Sequence, residues 1–180
     1  VYGAYVSNTG SIAANAEVTG DGSASAYGVF AVSYLFGAVG VDNSGQILAS
    51  WIAKDSGGKA NTLYVDLPSF GILKPVRQFF QQYYAQWCKG CTSQTVDIPV
   101  TAIGKDVPDR VVSYLRAHPD INYVAYSLGV LNVGVPAALR QAGLANKVKT
   151  IVTVGDAENY QYIASGQSQA AMAFSNVETP

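Results

Sequence analysis

The sequence has few charged residues and very little of the residue types that build most catalytic and metal sites. Only 13% of its 180 residues are charged, the formal net charge is −1, and it has one histidine and two cysteines. Lysine and arginine are not clustered, so the basic surface that nucleic acid requires is missing and we predict no nucleic-acid partner. With so few ligating side chains, we also predict no metal ion and no cofactor.

The sequence also lacks a long apolar run and the common catalytic motifs. Its longest apolar run, residues 27–41, includes Ser33, is too short for a membrane-spanning helix and is more typical of a buried strand. Gly-x-Ser-x-Gly and His-Glu-x-x-His are absent, and the glycine-rich segment 20–28 lacks the Lys-Ser/Thr of a phosphate-binding loop. These absences favour a binding protein over an enzyme.

What the sequence does contain is a regular alternation of strand and helix patterns. Hydrophobic residues make up 49% of the chain, enough for one well-packed domain or a large lobe. The predicted strands are 61–67, 92–100, 121–127, 148–154 and 168–176, and the predicted helices are 44–55, 72–88, 106–120, 131–143 and 157–165. Short connections between them imply right-handed crossovers. We therefore predict an α/β fold, a three-layer sandwich with a central, mainly parallel sheet.

The two cysteines lie in Trp87-Cys88-Lys89-Gly90-Cys91, which resembles a thiol–disulfide redox centre. In redox centres of that type, a helix begins at the cysteine pair, and its positive end stabilises a thiolate. Here the order is reversed, because the pair ends a helix and precedes a strand. The order favours a local disulfide that holds the turn in an exported protein, with a redox pair as the alternative.

The candidate ligand-binding residues follow the strands, since ligands of parallel sheets bind at the carboxyl ends of the strands. Asp156 is the strongest of them, because "TVGD" places a carboxylate directly after an apolar strand. The next predicted helix starts at the same point. Capping of that helix therefore explains Asp156 as well as ligand binding does.

Three segments carry a family resemblance: "DSGGKANTLYVDLPSFGILKPVRQFF", "AHPDINYVAYSLGVLNVGVPAALRQAG" and "TIVTVGDAENYQYIASGQSQAAMAFSNVETP". They resemble the C-terminal lobe of type 1 periplasmic binding proteins, and within these the sugar-type solute-binding subunits of ABC importers. Members of this group also carry Cys-x-x-Cys at the same turn. The resemblance implies two lobes that close on a small ligand.

The resemblance also implies how the chain is divided. Residues 1–40 correspond to the end of an N-terminal lobe and the approach to a hinge, 41–175 to the C-terminal ligand-binding lobe, and 176–180 to a second hinge crossing. We expect the chain to be about half of a two-lobed receptor.

Carried over by position, the family's ligand contacts fall on a short set of residues: Ser7, Asn8, Phe70, Ser127, Leu128, Asp156 and Asn176. Two departures affect the expected ligand. Sugar-binding members commonly have Asn-Asp where this chain has Ser127-Leu128, and often an arginine near Val76, where only the adjacent Arg77 is found. Sugar hydroxyls need paired polar groups, so we expect a ligand less polar than a hexose.

Together these observations predict a non-enzymatic solute-binding component of an ABC importer. It would bind a sugar or sugar-like solute and deliver it to the membrane permease. We expect export to the periplasm or cell exterior, in soluble or lipid-anchored form. Three alternatives stay open: the effector-binding domain of a transcription repressor, a thiol–disulfide oxidoreductase using Cys88 and Cys91, and a purely structural domain.

Overall fold

The structure is a computed structural model that describes residues 39–172, with the side chains of residues 44–172. Helices and strands alternate along this part of the chain, and short 3₁₀ turns follow β1, β2 and β3. The elements are α1 (Val39–Asp55), β1 (Asn61–Asp66), α2 (Lys74–Trp87), β2 (Thr92–Asp97), α3 (Val107–Ala117), β3 (Tyr123–Tyr126), α4 (Val135–Gln141), β4 (Lys149–Val152), α5 (Ala157–Ala164) and β5 (Ala170–Ala171).

The five strands form one sheet in the order β2-β1-β3-β4-β5, and every neighbouring pair is parallel. The strand order reverses direction at β1, because the chain moves from β1 outward to β2 and then back across to β3. Such a reversal is the topological switch point of a doubly wound sheet. The predicted α/β sandwich with a parallel sheet is confirmed.

Apolar side chains cover both faces of the sheet and form two cores. On one face, α1 and α2 pack on the sheet, and Tyr64 of β1 stacks on Phe80 of α2 with ring centroids 4.8 Å apart. On the other face, α3, α4 and α5 pack on neighbouring residues of the same strands, such as Leu63 and Val65. Strands covered on both faces carry continuous apolar runs, as β1 does.

Proline and glycine set several helix ends. A proline stands in the first turn of α2, α3 and α4. Backbone N–H groups in the first turn have no acceptor within the helix, so the N–H that proline lacks costs no helical hydrogen bond there. Gly143, with φ of 70°, follows α4 in the left-handed conformation that glycine adopts without strain. These signals placed most predicted boundaries within a few residues of the observed ones.

One boundary prediction is wrong. Helix α1 begins at Val39 rather than at residue 44, so the last three residues of the apolar run 27–41 are helical and not part of a strand. Periodicity alone does not separate a short buried strand from a buried helix. The rest of that run, the last four residues of the predicted strand 168–176 and the proposed second hinge crossing 176–180 lie outside the described residues. Of the proposed hinge approach 1–40, only residues 39–40 are described, and they are helical. Within residues 39–172, every helix is too short or too polar to cross a membrane.

Candidate functional site

The carboxyl ends of all five strands lie along one edge of the sheet, which we call the carboxyl edge. Loops at this edge of a parallel sheet are the usual place for ligands. Phe70, a predicted ligand contact, lies in the loop after β1, and 44% of its surface is exposed. Its carbonyl oxygen accepts a 2.9 Å hydrogen bond from the backbone N–H of Leu73, which fixes this loop at the start of α2.

Four large, exposed apolar side chains lie on the segments that follow β1, β2 and β4. We call these residues the apolar rim, and their exposed fractions are 44% for Phe70, 65% for Ile72, 47% for Val100 and 37% for Val154. In the described part of the chain, one further large apolar side chain is exposed, Trp87, and it lies at the opposite edge, where α2 ends. The large apolar side chains exposed among the described residues are thus concentrated at the carboxyl edge.

The two predicted contacts after β3 are less accessible than Phe70. Ser127 is completely buried, its backbone N–H donates to Val65 O at 3.0 Å, and its carbonyl oxygen accepts from Thr153 Oγ1 at 2.5 Å. The Ser127 hydroxyl has no hydrogen-bond partner among residues 44–172. Leu128 is half-buried against the core. The structure thus places Ser127 just beneath the carboxyl edge, with an unused hydroxyl.

Asp156 lies at the carboxyl edge and caps helix α5. Its Oδ1 accepts from the backbone N–H of Asn159 at 3.0 Å, and Asn159 Oδ1 accepts from the backbone N–H of Asp156 at 3.1 Å. This reciprocal capping box confirms the capping role that the sequence left open. Asn159 also donates from Nδ2 to Gly129 O at 3.3 Å, which joins the loops after β3 and β4.

The backbone directly after β4 is strained. Val154 has φ of 47°, a left-handed conformation that a β-branched residue adopts only when its surroundings impose it. Such a conformation costs about 1–3 kcal/mol and is concentrated at functional sites. The next residue is held in place, because Gly155 N–H donates to Met172 O at 2.8 Å. The strain therefore belongs to a well-fixed loop of the carboxyl edge.

An ion-pair cluster lies at the carboxyl ends of β1 and β2. Arg77 Nη1 of α2 is 3.3 Å from Asp66 Oδ2 and 3.2 Å from Asp97 Oδ1, and the two aspartates are paired in the register of the strands. Asp66 is only 3% exposed, and its Oδ1 also accepts from the backbone N–H of Leu67. Asp66 and Arg77, with Lys74 and Gln78, line a shallow depression of about 260 Å³. The arginine beside Val76 is thus held by structural carboxylates.

Tyr64 lies near the same cluster, on the face covered by α2. Burial raises the pKa of its hydroxyl far above the usual value, the charge of Asp66 raises it further, and Arg77 opposes both. The hydroxyl has no hydrogen-bond partner within residues 44–172. Tyr64 is therefore a neutral, buried group at ordinary pH.

The cysteine pair lies at the edge of the sheet opposite to the apolar rim. Cys88 and Cys91 form a disulfide with Cα atoms 5.2 Å apart, which confirms the predicted pairing. Cys88 is the buried residue that ends α2, and Cys91 Sγ accepts a hydrogen bond from the backbone N–H of Ala60 at 3.1 Å. The disulfide therefore joins the end of α2 to the starts of β1 and β2.

The other predicted contacts, Ser7, Asn8 and Asn176, lie outside the described residues. Sequence reasoning did not identify Asp66, Asp97 or Val154 as members of the carboxyl edge. The two aspartates close β1 and β2, but the predicted strands 61–67 and 92–100 extend past them, so neither aspartate stood at a predicted strand end. Val154 closes the predicted strand 148–154, but its distinguishing property is a backbone angle, which has no sequence signal.

Comparison with protein-family models found no match, and comparison with curated protein sequences found none either. Comparison with solved structures found clear similarity to an ABC transporter periplasmic solute-binding protein from Actinobacillus succinogenes with bound D-allose. That structure has 19% identity and a TM-score of 0.63, over 71% of this chain and 45% of the other.

Two further structures agree with this one. A sugar ABC transporter sugar-binding protein from Bacillus halodurans has 16% identity and a TM-score of 0.65, over 71% of this chain and 44% of the other. An arabinose-binding protein from Geobacillus stearothermophilus has 12% identity and a TM-score of 0.64, over 80% of this chain and 47% of the other. This chain thus spans less than half of each of these three proteins, which are binding proteins. Its fold is that of one lobe of a type 1 periplasmic binding protein, as the sequence resemblance implied.

Proposed function

We propose that this chain is the ligand-binding C-terminal lobe of an exported solute-binding protein that serves an ABC importer. In this proposal a small sugar or sugar-like solute binds at the carboxyl edge, in a cleft completed by a second lobe. The observation that carries the proposal is the apolar rim, which leaves large side chains exposed at the edge where parallel sheets of this fold bind ligands. The structural neighbour with bound D-allose and the arabinose-binding protein support the solute class.

The proposal includes the division of the chain. Residues 41–175 form the ligand-binding lobe, 1–40 the end of the N-terminal lobe and the hinge approach, and 176–180 a second crossing. Ser7, Asn8, Phe70, Ser127, Leu128, Asp156 and Asn176 are its proposed ligand contacts. The proposed partner is the importer permease, and the proposed location is the periplasm or the cell exterior, with or without a lipid anchor.

The disulfide supports export, because the cytosol keeps thiols reduced. It weighs against the effector-binding domain of a repressor, which works in the cytosol. The position of Cys88 at the end of α2 weighs against a thiol–disulfide oxidoreductase, since the helix end beside it is the one that disfavours a thiolate. A non-enzymatic binding role is therefore the function that we propose.

Calorimetry on the full natural polypeptide tests this function. D-allose, D-arabinose and a panel of other monosaccharides and their glycosides are titrated, and we expect at least one to bind with a dissociation constant of about 10 μM or lower. Phe70→Ala should weaken that binding by at least tenfold, because it removes an exposed aromatic contact. Trp87→Ala, at the opposite edge, is the matched control and should leave affinity unchanged. Absence of binding by the whole panel at millimolar concentration contradicts the proposal.

A further inference from the structure

The charged side chains that end the strands are already engaged by neighbours within the fold. Asp66 and Asp97 share the guanidinium of Arg77, and Asp156 accepts from the backbone N–H of Asn159 in the capping box. Because two carboxylates share one guanidinium, and Asp156 is paired with a neutral backbone N–H, the strand ends keep a net negative charge. The carboxyl edge therefore disfavours an anionic ligand.

Val154 combines backbone strain with exposure of its side chain. A strained conformation is usually compensated by favourable packing of the residue, but 37% of Val154 remains exposed and it is absent from both apolar cores. Glycine or asparagine would adopt φ of 47° with less strain. Stability of the lobe alone therefore gives no reason for a β-branched apolar side chain at this position.

Three further apolar side chains are exposed at the carboxyl edge. Phe70, Ile72 and Val100 are more exposed than Val154 and follow β1 and β2, which β3 separates from β4 in the sheet. A ligand covered with hydroxyls would leave polar groups facing these side chains without partners, which is costly in a closed cleft. A ligand with one apolar face would bury apolar area there instead.

We propose that the solute bound here is not an anion and carries an apolar face beside its hydroxyl groups, as an aryl or alkyl glycoside does. Val154 is a specificity-determining residue that contacts this apolar face. This inference rests on the proposed solute-binding function and narrows its ligand class. It also gives a reason for a valine at a strained and exposed position.

The test titrates matched pairs of solutes into the full natural polypeptide. Each pair consists of a free sugar and its phenyl glycoside, for example D-glucose with phenyl β-D-glucopyranoside and D-arabinose with its phenyl glycoside. We expect the phenyl glycoside to bind at least tenfold more tightly in at least one pair. Equal or tighter binding of the free sugars in every pair would overturn the inference while leaving the proposed function intact. Absence of binding by both members of every pair contradicts the proposed function itself.

Two substitutions test the role of Val154. Val154→Thr keeps the shape and branching of the side chain but replaces a methyl group with a hydroxyl, and it should weaken phenyl glycoside binding at least fivefold with little effect on free sugars. Val154→Gly removes both the side chain and the strain, so it should raise the melting temperature while it lowers phenyl glycoside affinity. A purely structural residue would not move stability and affinity in opposite directions. If both variants kept the same preference for phenyl glycosides over free sugars, the assignment of Val154 as a specificity-determining residue would be overturned.

Discussion

Arg77 on α2 holds the buried carboxylate of Asp66, with 3.3 Å between its Nη1 and Asp66 Oδ2. The same nitrogen lies 3.2 Å from Asp97 Oδ1, so one guanidinium bridges the carboxylates that end β1 and β2. Arg77 is the arginine adjacent to Val76, the position near which the family resemblance implies an arginine. Its Nη1 stabilises the carboxyl edge by contacting the carboxylates of two strands.

Removal of this arginine should destabilise the lobe. In Arg77→Ala, the buried Asp66 loses its charge partner, and we expect a loss of about 2 kcal/mol in the free energy of unfolding. Arg110→Ala is the control, because Arg110 pairs with Asp106 on the exposed surface of α3 at 3.0 Å and should cost no more than about 0.5 kcal/mol. Urea denaturation measures both variants. Equal effects would contradict the special role of the Asp66 pair.

The disulfide should stabilise the lobe without affecting ligand binding. The loop that Cys88 and Cys91 close is short, so reduction or Cys91→Ser should cost only about 2 kcal/mol in the free energy of unfolding. Because the pair lies opposite to the carboxyl edge, solute affinity should not change. Urea denaturation with and without reductant measures the change in stability, and calorimetry under the same two conditions measures the solute affinity. A change of affinity on reduction would connect the cysteines to function and reopen the redox alternative.

Two buried tyrosines should respond in opposite ways to loss of the hydroxyl. The Tyr126 hydroxyl has no hydrogen-bond partner among residues 44–172, so Tyr126→Phe should be neutral or raise the free energy of unfolding by up to about 1 kcal/mol. The Tyr84 hydroxyl lies 2.7 Å from Thr62 Oγ1, and Tyr84→Phe should cost about 1 kcal/mol. Urea denaturation compares the two. Destabilisation by Tyr126→Phe would indicate an ordered water at that hydroxyl.

Alanine substitutions at two glycines of the carboxyl edge should differ sharply in their effect on stability. A Cβ on Gly129 would lie 2.2 Å from Asn159 Oδ1 and 2.6 Å from Val154 O, so Gly129→Ala should cost about 1–3 kcal/mol and displace the loops after β3 and β4. A Cβ on Gly71 would meet nothing within 4 Å, and Gly71→Ala should be tolerated. Thermal unfolding and solute titration of both variants provide the test. Tolerance of Gly129→Ala would show that this packing can relax.

The fold was largely predictable from the sequence, because each element carried a local signal. Pro75, Pro108 and Pro136 each mark the first turn of a helix, and Gly143 marks a helix end. The disulfide was predictable for a related reason. The cysteine pair follows a helix, whereas in a redox centre of the type that it resembles the helix follows the pair. Helix α1 was misjudged at its start because an apolar run alone favours neither strand nor helix.

The site was only partly predictable, because its decisive features are not local in sequence. Position after a strand identified Phe70 and Asp156, and both lie at the carboxyl edge. The same rule could not foresee that Ser127 lies completely beneath the surface, since a strand buried on both faces gives no alternation to separate inward from outward residues. The strain at Val154 is a backbone conformation, which sequence spacing does not reveal.

The most direct test of solute binding at the carboxyl edge is native mass spectrometry of the full natural polypeptide, after incubation with the sugar and glycoside panel. We predict one retained neutral solute per polypeptide, lost in Phe70→Ala and kept in Trp87→Ala. Failure of the polypeptide to retain any solute would contradict the account. So would a solute that Phe70→Ala retains and Trp87→Ala releases.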